Sequence, residues 1–330
     1  MSKNYDFLGI GDTVTDAFIK LKEAHINCKP NHEDCEISMR FGDKIPYEDV
    51  FVVPGVGNSA NACVAASRLG LKSALLTNLG KDRYGEECLA YFKKEKVNTS
   101  LIKLHKNIKT NYHYVLWYKD DRTILIKHEK YPYSLPNIGS PKWVYFSSLG
   151  QDAEIIYPAL EEYFKKHPEV NLVFQPGTYQ LRMGVEKLEY FYKRSKVFIC
   201  NKEESQSILN TKEADIKKLL KAVHDLGPEI VCITDGHNGS YVLNNNEFWF
   251  MPIYPDPKPP LERTGAGDAF SSTFISALIL GKSIDEALMW GPINSMSVVQ
   301  KVGSQAGLLT RHELEDLLAK APKDYFPKKI

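Results

Sequence analysis

The chain has 330 residues, 43% of them hydrophobic, and its formal net charge is +1. This length and composition predict one large domain with a substantial buried core. The near-zero charge excludes a protein-wide electrostatic attraction to nucleic acid or to an anionic membrane. No apolar run is long enough to cross a bilayer, and the first residues do not read as a signal peptide. We therefore expect a cytoplasmic protein with no nucleic-acid or membrane partner.

Taken in chain order, short apolar runs alternate with amphipathic stretches. The predicted strands include 5–11, 73–78, 143–147, 172–175, 196–200 and 230–234. The predicted helices include 59–69, 85–95, 153–166, 212–226 and 284–299. This alternation predicts an α/β fold with a mainly parallel sheet covered by helices on both faces. The last residues, 322–330, read as a loosely held tail.

Two segments, 37–53 and 111–127, interrupt the alternation and predict a small second sheet. The second segment has two apolar runs joined by the hairpin-like stretch 119–122. We expect insertions of roughly 13–53 and 108–132 to form a lid on a single domain of 1–330, although ordinary edge strands would give the same pattern. Exposed lid strands also predict a homodimer that pairs through the lid.

The second lid segment is rich in side chains that could contact a ligand. Its aromatic strand could stack on a nucleoside base or a sugar face, or alternate side chains could pack the lid onto a partner lid. The side chains concerned are Tyr112, His113, Tyr114, Trp117 and Tyr118. Three cations would suit an acidic sugar, although solvated surface charges explain them too. They are Arg122, His128 and Arg182.

The six cysteines lie mostly in apolar segments, which predicts reduced, buried thiols. They are at positions 28, 35, 63, 88, 200 and 232. His25, Cys28, His32 and Cys35 have the residue types of a zinc site at close spacing. The loop between the second and third of them is shorter than is usual between pairs of zinc ligands, so whether this cluster binds metal stays open.

The segment 262–270, Glu-Arg-Thr-Gly-Ala-Gly-Asp-Ala-Phe, carries the most chemical information. Gly265, Ala266 and Gly267 precede Asp268 and an apolar stretch, a pattern typical of the first turn of a buried helix. A helix N-terminus binds anions, because its free N–H groups and its peptide dipoles point outward. Asp268 could take a proton from a nucleophile held beside the anion, or it could simply cap the helix.

Acidic and amide side chains follow the first strand and open the first helix. Asp12 and Asp16 lie where the carboxyl end of the first strand is predicted, and open α/β sheets bind ligands at that edge. Gly57 begins the segment Gly-Asn-Ser-Ala-Asn. Asn61 in this segment could bond a hydroxylated ligand or cap the helix.

Two further strings follow later strands. Asn201 and Glu204 lie three residues apart after one strand, where oxygen ligands can hold magnesium, usually through water. Taken alone, this pair could equally cap a helix. Thr234 and Gly236 follow another strand and offer a hydroxyl group and a closely approachable backbone to a phosphate.

Together these strings resemble the ribokinase (phosphofructokinase-B) family of carbohydrate and nucleoside kinases over nearly the whole chain. The resemblance implies a ribokinase-like three-layer sandwich with a β-sheet lid, and ATP and Mg²⁺ as cofactors. It implies Asp268 as general base and the backbone of Gly265, Ala266 and Gly267 as anion hole. The implied substrate-binding residues are Asp12, Asp16, Gly57 and Asn61. The implied nucleotide-binding residues are Asn201, Thr234, Gly236 and Asn294, with Glu204 holding magnesium through water.

The chain departs from the family pattern at three places. Glu262-Arg263 stands where the family usually has Asp-Thr, so Glu262 is only a possible ligand for potassium. Val56-Gly57 replaces the common Gly-Gly hinge of the lid. Asn58 occupies a position that some members use for sugar contact, which leaves the substrate undefined.

The expected reaction is transfer of the γ-phosphoryl group of ATP to a hydroxymethyl group of a sugar of the ribose, fructose or 2-keto-3-deoxygluconate type. A nucleoside kinase is the alternative, and a non-catalytic sugar-binding regulatory protein is a remote one. Phosphoryl transfer depends chiefly on positioning and charge stabilisation. We further expect the helix dipole to lower the pKa of Asp268.

Overall fold

The computed structural model describes residues 4–28, 35–119 and 121–330. Its strands are β1 (Phe7–Ile10), β2 (Val14–Leu21), β3 (His25–Asn27), β4 (Glu36–Ser38), β5 (Tyr47–Val56), β6 (Ser73–Gly80), β7 (Ile102–His105), β8 (Asn111–Tyr118), β9 (Asp121–Leu125), β10 (Trp143–Phe146), β11 (Asn171–Phe174), β12 (Val197–Asn201), β13 (Ile230–Thr234), β14 (Ser240–Asn244), β15 (Glu247–Met251) and β16 (Lys328–Lys329). Its α-helices are α1 (Asn58–Arg68), α2 (Arg83–Lys94), α3 (Tyr157–Lys166), α4 (Thr178–Met183), α5 (Val185–Arg194), α6 (Lys202–Ile208), α7 (Ile216–His224), α8 (Ala266–Ile279), α9 (Ile284–Val298) and α10 (Arg311–Ala319). Among these helices of the described residues, none is both long and apolar enough to cross a membrane.

A ten-stranded sheet forms the centre of the molecule, which confirms the predicted α/β class. Its strand order is β16-β15-β14-β13-β12-β11-β10-β1-β6-β7. The strands from β13 through β1 to β7 are parallel, whereas β14, β15 and β16 add on antiparallel. The sequence pattern predicted the parallel strands and did not predict the antiparallel edge.

Apolar side chains cover both faces of this sheet, because buried parallel strands expose no face to water. On one face, α1, α8 and α9 bury side chains such as Ala60, Phe274 and Trp290. On the other face, α3, α5 and α7 bury Leu160, Phe191 and Leu220. The helices therefore hold the carboxyl ends of the parallel strands in fixed positions along one edge.

A separate four-stranded sheet, which we call the lid sheet, has the order β5-β2-β8-β9. Its strands lie within the two predicted insertions, and β8 and β9 form the predicted hairpin. In β8 the odd-numbered side chains are buried and the even-numbered ones are more exposed, as expected for a sheet with two different faces. A small hairpin of β3 and β4 extends from the same insertion.

Local signals explain where helices begin. The carboxylate of Asp215 accepts hydrogen bonds from the backbone N–H groups of Lys217 and Lys218, so α7 begins at Ile216 and not at 212 as predicted. The predicted helix 153–166 divides into a 3₁₀ segment, Gln151–Ile156, and α3, which has a proline in its first turn.

Two expectations from the sequence are wrong. Cys28 and Cys35 form a disulfide bond across the β3–β4 hairpin, whereas the other four cysteines are free and buried. Their pairing also removes two members of the zinc-like cluster, and His32 lies outside the described residues. The tail is not loosely held, because β16 pairs with β15 and the buried Tyr325 donates a hydrogen bond to the carbonyl oxygen of Met289.

Candidate active site

The Gly-rich string forms a turn that leads directly into α8. Gly265 adopts a left-handed backbone conformation, with φ 83°. A Cβ atom at this position would lie 2.3 Å from the Cβ atom of Ser304, so both the conformation and the packing require glycine. A Cβ atom at Gly267 would meet no heavy atom within 4 Å, which leaves the helix N-terminus open to a ligand.

Three amide side chains hold the carboxylate of Asp268 in the first turn of α8. Asn58 and Asn61, both from α1, donate to its two oxygens at 2.9 and 2.8 Å. Gln175, at the carboxyl end of β11, donates to one of them at 3.4 Å. The carboxylate is therefore fixed in orientation beside the open N-terminus of the helix.

The amides themselves are held by other side chains. Ser304 and Gln305 donate to the side-chain oxygen of Asn61 at 2.9 and 2.7 Å, which directs its NH₂ group at Asp268. The hydroxyl of the buried Tyr145 donates to the side-chain oxygen of Gln175. Asn61 was predicted to bind substrate hydroxyls, and here its amide is used within the protein to position Asp268.

Burial raises the pKa of Asp268 above the ordinary aspartate value of 3.8, and the three amide hydrogen bonds only partly oppose this. The expected lowering by the helix dipole is therefore wrong in sign, because desolvation of the carboxylate outweighs it. A raised pKa makes the carboxylate a better proton acceptor, which suits a general base.

Two aspartates and two histidines gather where the lid sheet meets the main sheet. We call Asp12, Asp16, His113 and His128 the Asp–His cluster. Asp16 on β2 is paired in register with His113 on β8, and their closest Oδ1 and Nδ1 atoms are 3.5 Å apart. Both residues are buried, and Nε2 of His113 has no hydrogen-bond partner among the described residues.

Asp12 ties the segment after the lid to the end of β1. Its Oδ2 atom accepts hydrogen bonds from the Tyr133 hydroxyl at 2.8 Å and the Gly150 N–H at 2.7 Å, and Nδ1 of His128 lies 3.3 Å away. Gly57 contacts the same turn, since a Cβ atom there would lie 2.5 Å from the Asp12 carbonyl oxygen. The Asp–His cluster thus lies next to the start of α1, the helix that carries Asn58 and Asn61.

A cavity of about 700 Å³ lies on the other side of the α8 N-terminus. Its polar end is lined by Asn201, Thr234, Gly236, Ala266 and Gly267. Its apolar part is lined by Ile253, Tyr254, Pro260, Pro292, Met296 and Val299. A site lined both by apolar side chains and by N–H and hydroxyl groups suits a nucleotide, whose base is apolar and whose phosphates accept hydrogen bonds.

Asn201 and Glu204 form a reciprocal cap at the start of α6. Asn201 Oδ1 accepts from the Glu204 N–H at 2.7 Å, and Glu204 Oε2 accepts from the Asn201 N–H at 2.8 Å. Burial raises the pKa of Glu204, and the negative charge of Asp268 contributes. The capping alternative is therefore confirmed, and it still leaves Asn201 in the lining of the cavity.

The described residues contain no group of three or more His, Cys, Asp or Glu side chains that could hold a metal ion. Magnesium needs few protein ligands, because it keeps several waters and binds nucleotide phosphates. Glu204, whose pKa is raised mainly by burial and in smaller part by the charge of Asp268, could hold such an ion through water.

Two predicted site residues are used inside the protein. Asn294 on α9 is fully buried, donates to the Thr273 hydroxyl and accepts from the Leu309 N–H, so the structure does not bring its side chain to the cavity. Glu262 is also buried, and its two oxygens accept hydrogen bonds from the N–H groups of Thr264 at 2.6 Å and Gly303 at 2.9 Å.

The aromatic strand of the lid does not offer a row of stacking faces. Tyr112 and Tyr114 lie on the opposite side of β8 from His113, and Tyr112 packs on Tyr84 of α2 at 4.7 Å between ring centroids. Trp117 is buried, with Phe51 6.3 Å away, and its Nε1–H donates to the carbonyl oxygen of Lys119.

Sequence reasoning missed three contributors to the site. Gln175 follows a predicted strand just as Asn201 and Thr234 do, so its position was a usable signal. Ser304 and Gln305 carry no such local signal, because their contacts with Asn61 span more than two hundred residues of chain.

A mostly parallel α/β sheet with a smaller separate sheet, an open helix N-terminus and a carboxylate fixed beside it together form a site of the kind that suits phosphoryl transfer. The family model described as pfkB family carbohydrate kinase matches residues 20–311. The chain therefore belongs to the pfkB family of carbohydrate kinases and is a phosphotransferase that acts on sugars. This confirms the resemblance drawn from the motifs.

Individual relatives agree with this assignment. Ribokinase of Haemophilus influenzae is 26% identical over 80% of this chain and 87% of its own length. A 5-dehydro-2-deoxygluconokinase of Bacillus subtilis is 25% identical over 79% of this chain and 86% of its own. Among solved structures, Arabidopsis thaliana ribokinase complexed with ribose and ATP has a TM-score of 0.75 at 19% identity, covering 96% of this chain and 99% of that one. A Methanocaldococcus jannaschii nucleoside kinase of the ribokinase family has a TM-score of 0.77 at 20% identity, with the same coverage. These two likenesses establish the ribokinase fold.

Proposed function

We propose that this protein transfers the γ-phosphoryl group of MgATP to a hydroxymethyl group of a neutral sugar of the ribose or fructose type. The observation that carries the proposal is the carboxylate of Asp268, fixed by three amides between the Asp–His cluster and the large cavity. The sugar would occupy the side of Asp16 and His113, and the nucleotide would occupy the cavity. The kinase family and the ATP-bound ribokinase neighbour support this arrangement.

The proposed step needs little covalent help from the protein. The hydroxyl oxygen forms a bond to the γ-phosphorus, the bond from that phosphorus to the bridging oxygen breaks with its electron pair left on ADP, and the hydroxyl proton passes to Asp268. The backbone N–H groups at Gly265–Gly267 stabilise charge on the moving phosphoryl oxygens. Magnesium, held by Glu204 through water and by the phosphates, supplies further charge neutralisation when bound.

The charge of the sugar side argues for a neutral acceptor. Two carboxylates, Asp12 and Asp16, would repel the carboxylate of an acidic sugar. Of the three cations considered for an acidic sugar, two lie elsewhere: Arg122 lines the large cavity, and Arg182 is exposed and lies over the Tyr179 ring, 6.0 Å from its centroid. The third, His128, lies 3.3 Å from Asp12 within the Asp–His cluster. A carboxylate does, by contrast, accept strong hydrogen bonds from the hydroxyl groups of a neutral sugar.

The position of the lid aromatics argues against the nucleoside alternative. Tyr112 and Tyr114 lie on the far side of β8 from the Asp–His cluster, and Trp117 is buried within the lid sheet. A base bound beside Asp16 would therefore lack an aromatic platform from this strand. The remote non-catalytic alternative finds no support, because the oriented carboxylate and the open helix terminus are both retained.

The test is ADP release from MgATP with ribose, fructose, 2-keto-3-deoxygluconate, 5-dehydro-2-deoxygluconate, adenosine, inosine and cytidine. We expect kcat/KM to be highest for ribose or fructose. A preference for either acid would contradict the neutral-sugar proposal, and a preference for a nucleoside would contradict the sugar class. Acceptor binding without any ADP release would support the non-catalytic alternative.

We further propose that turnover does not require potassium. Each carboxylate oxygen of Glu262 already accepts a backbone hydrogen bond, so this residue joins the loop before α8 to the Gly303 loop without a cation. We expect equal kcat in buffers of potassium, sodium and tetramethylammonium chloride at matched ionic strength. A strong stimulation by potassium alone would contradict this.

We also retain the proposal of a homodimer paired through the lid. The face of the lid sheet away from His113 carries Val50, Val52, Tyr114 and Leu125, each exposed by 43–51%. A second copy would cover this apolar face. Sedimentation should give a dimer, and Val52→Asp should give a monomer, whereas a monomeric wild-type protein would refute the pairing.

The cytoplasmic location remains a proposal with observations on both sides. The four free, buried cysteines are typical of a reducing compartment, whereas a disulfide bond is typical of an oxidising one. Fractionation of the source cells would show whether the protein is in a reducing compartment or an oxidising one.

A further inference from the structure

The lid sheet also contributes a cation to the nucleotide cavity. Arg122 lies on β9, the edge strand of the lid sheet, and its side chain lines the same cavity as Ala266 and Gly267. Its Nε atom is buried and has no hydrogen-bond partner among the described residues. A guanidinium whose donor is buried and unused beside an anion-binding helix start is suited to a phosphate.

The charge of Arg122 is only weakly neutralised. Within the described part of the chain its carboxylate partner is Asp121, which is 79% exposed and 3.4 Å from the guanidinium. Exposed ion pairs of this kind contribute little, because water screens them. The nearby acid Asp235 is already paired with Lys202 at 3.2 Å, so it does not compete for Arg122.

We propose that Arg122 is a catalytic residue that contacts the transferred phosphoryl group; this inference rests on the proposed function. The loose transition state spreads negative charge over the phosphoryl oxygens, and a guanidinium that approaches them opposite the helix N-terminus stabilises that charge. Arg122 makes no covalent bond and moves no proton.

The position of Arg122 on the lid sheet gives it a second property. β2 and β8 of the same sheet carry Asp16 and His113 on the acceptor side, and β9 carries Arg122 into the donor side. One rigid sheet therefore holds the groups for both substrates. When the sugar binds to Asp16 and His113, it therefore also favours the position in which Arg122 contacts the phosphoryl group. Without a bound sugar this position is less favoured, which disfavours hydrolysis of ATP by water.

The test compares Arg122→Gln and Arg122→Lys with Arg40→Gln, an exposed arginine of the other insertion paired with Asp43. We expect Arg122→Gln to lower kcat by about 100-fold or more, as for loss of a transition-state donor. Its KM for ATP should change by less than about threefold, since the contact is made chiefly in the transition state. Arg122→Lys should recover part of kcat, and Arg40→Gln should match the wild type.

A second measurement does not depend on which acceptor is correct. Binding of MgADP is compared with binding of MgADP plus aluminium fluoride, which imitates the transferred phosphoryl group. We expect Arg122→Gln to weaken the fluoride complex by about 100-fold and to leave MgADP binding nearly unchanged. Equal weakening of both complexes, a change in KM alone or an unchanged kcat would each overturn the inference. A wild-type protein inactive on every sugar would overturn the proposed function instead, and the fluoride comparison would still decide the role of Arg122.

Discussion

The two sides of the active site are built in different ways. The transfer side is a turn and a helix start, 262–270, to which we assign the anion hole and the proposed base. The acceptor side is assembled from the turn after β1, from β2 and β8, and from the segment after the lid, so the four side chains of the Asp–His cluster come from separate parts of the chain. A short backbone motif can serve any sugar kinase, whereas a cluster of side chains from separate segments can change with the sugar.

This difference predicts that variants on the two sides change different kinetic constants. Groups that act only in the transition state lower kcat, whereas groups that bind the ground state raise KM. The four predictions that follow begin with the largest expected effect.

Removal of the base should affect the transfer side alone. We expect Asp268→Asn to lower kcat by about a hundredfold or more, as for loss of a general base, with little change in the acceptor KM. Asp225→Asn, an exposed carboxylate at the end of α7, is the control. Near-normal turnover in Asp268→Asn would refute the role of base.

The same residue predicts a pH dependence. Asp268 must be ionised to accept the proton, and burial raises its pKa above 3.8, so kcat should fall with decreasing pH while ordinary exposed carboxylates are still ionised. The acid limb of the kcat profile measures this, and Asp268→Asn should lack that limb. A limb at or below 3.8 in the wild type would contradict the raised pKa.

Removal of a carboxylate on the acceptor side should change binding more than chemistry. We expect Asp16→Asn to raise the acceptor KM by about 10- to 100-fold, the range for a hydrogen bond to a charged group, with a smaller change in kcat. Asp49→Asn, an exposed carboxylate on β5 of the same lid sheet, should leave both constants unchanged. A decrease in kcat without a change in the acceptor KM would show that Asp16 does not bind the acceptor, and would contradict the division into two sides.

The smallest predicted effect concerns stability and tests how rigidly the transfer side is held. Gly265 and Gly281 have nearly the same positive φ, 83° and 84°, but only at Gly265 would a Cβ atom meet a neighbour, Ser304 at 2.3 Å. We expect Gly281→Ala to lower the free energy of unfolding by about 1 kcal/mol, and Gly265→Ala by about 1–2 kcal/mol more. Urea denaturation measures both, and equal losses would show that the Ser304 contact yields easily.

Sequence patterns predicted much of the fold because their signals are local. The apolar runs at 73–78 and 230–234 and the Gly-rich start of α8 report backbone preferences that act within a few residues. The disulfide bond between Cys28 and Cys35 was missed, because the spacing of cysteines does not tell whether two Cβ atoms face each other. The docked tail was missed because its partners, β15 and Met289, are distant in sequence.

For this protein, the sequence by itself determined the α/β class and the phosphoryl-transfer class, because the alternation of elements and the string 262–270 carry those signals, and it singled out Asp268 as the proposed base. Only the tertiary structure decided what surrounds that carboxylate. Asn58 reaches it across 210 residues of chain and Gln175 across 93. Desolvation by the surrounding protein depends on the folded arrangement, and it is the reason that the pKa of Asp268 rises although the helix terminus alone would lower it.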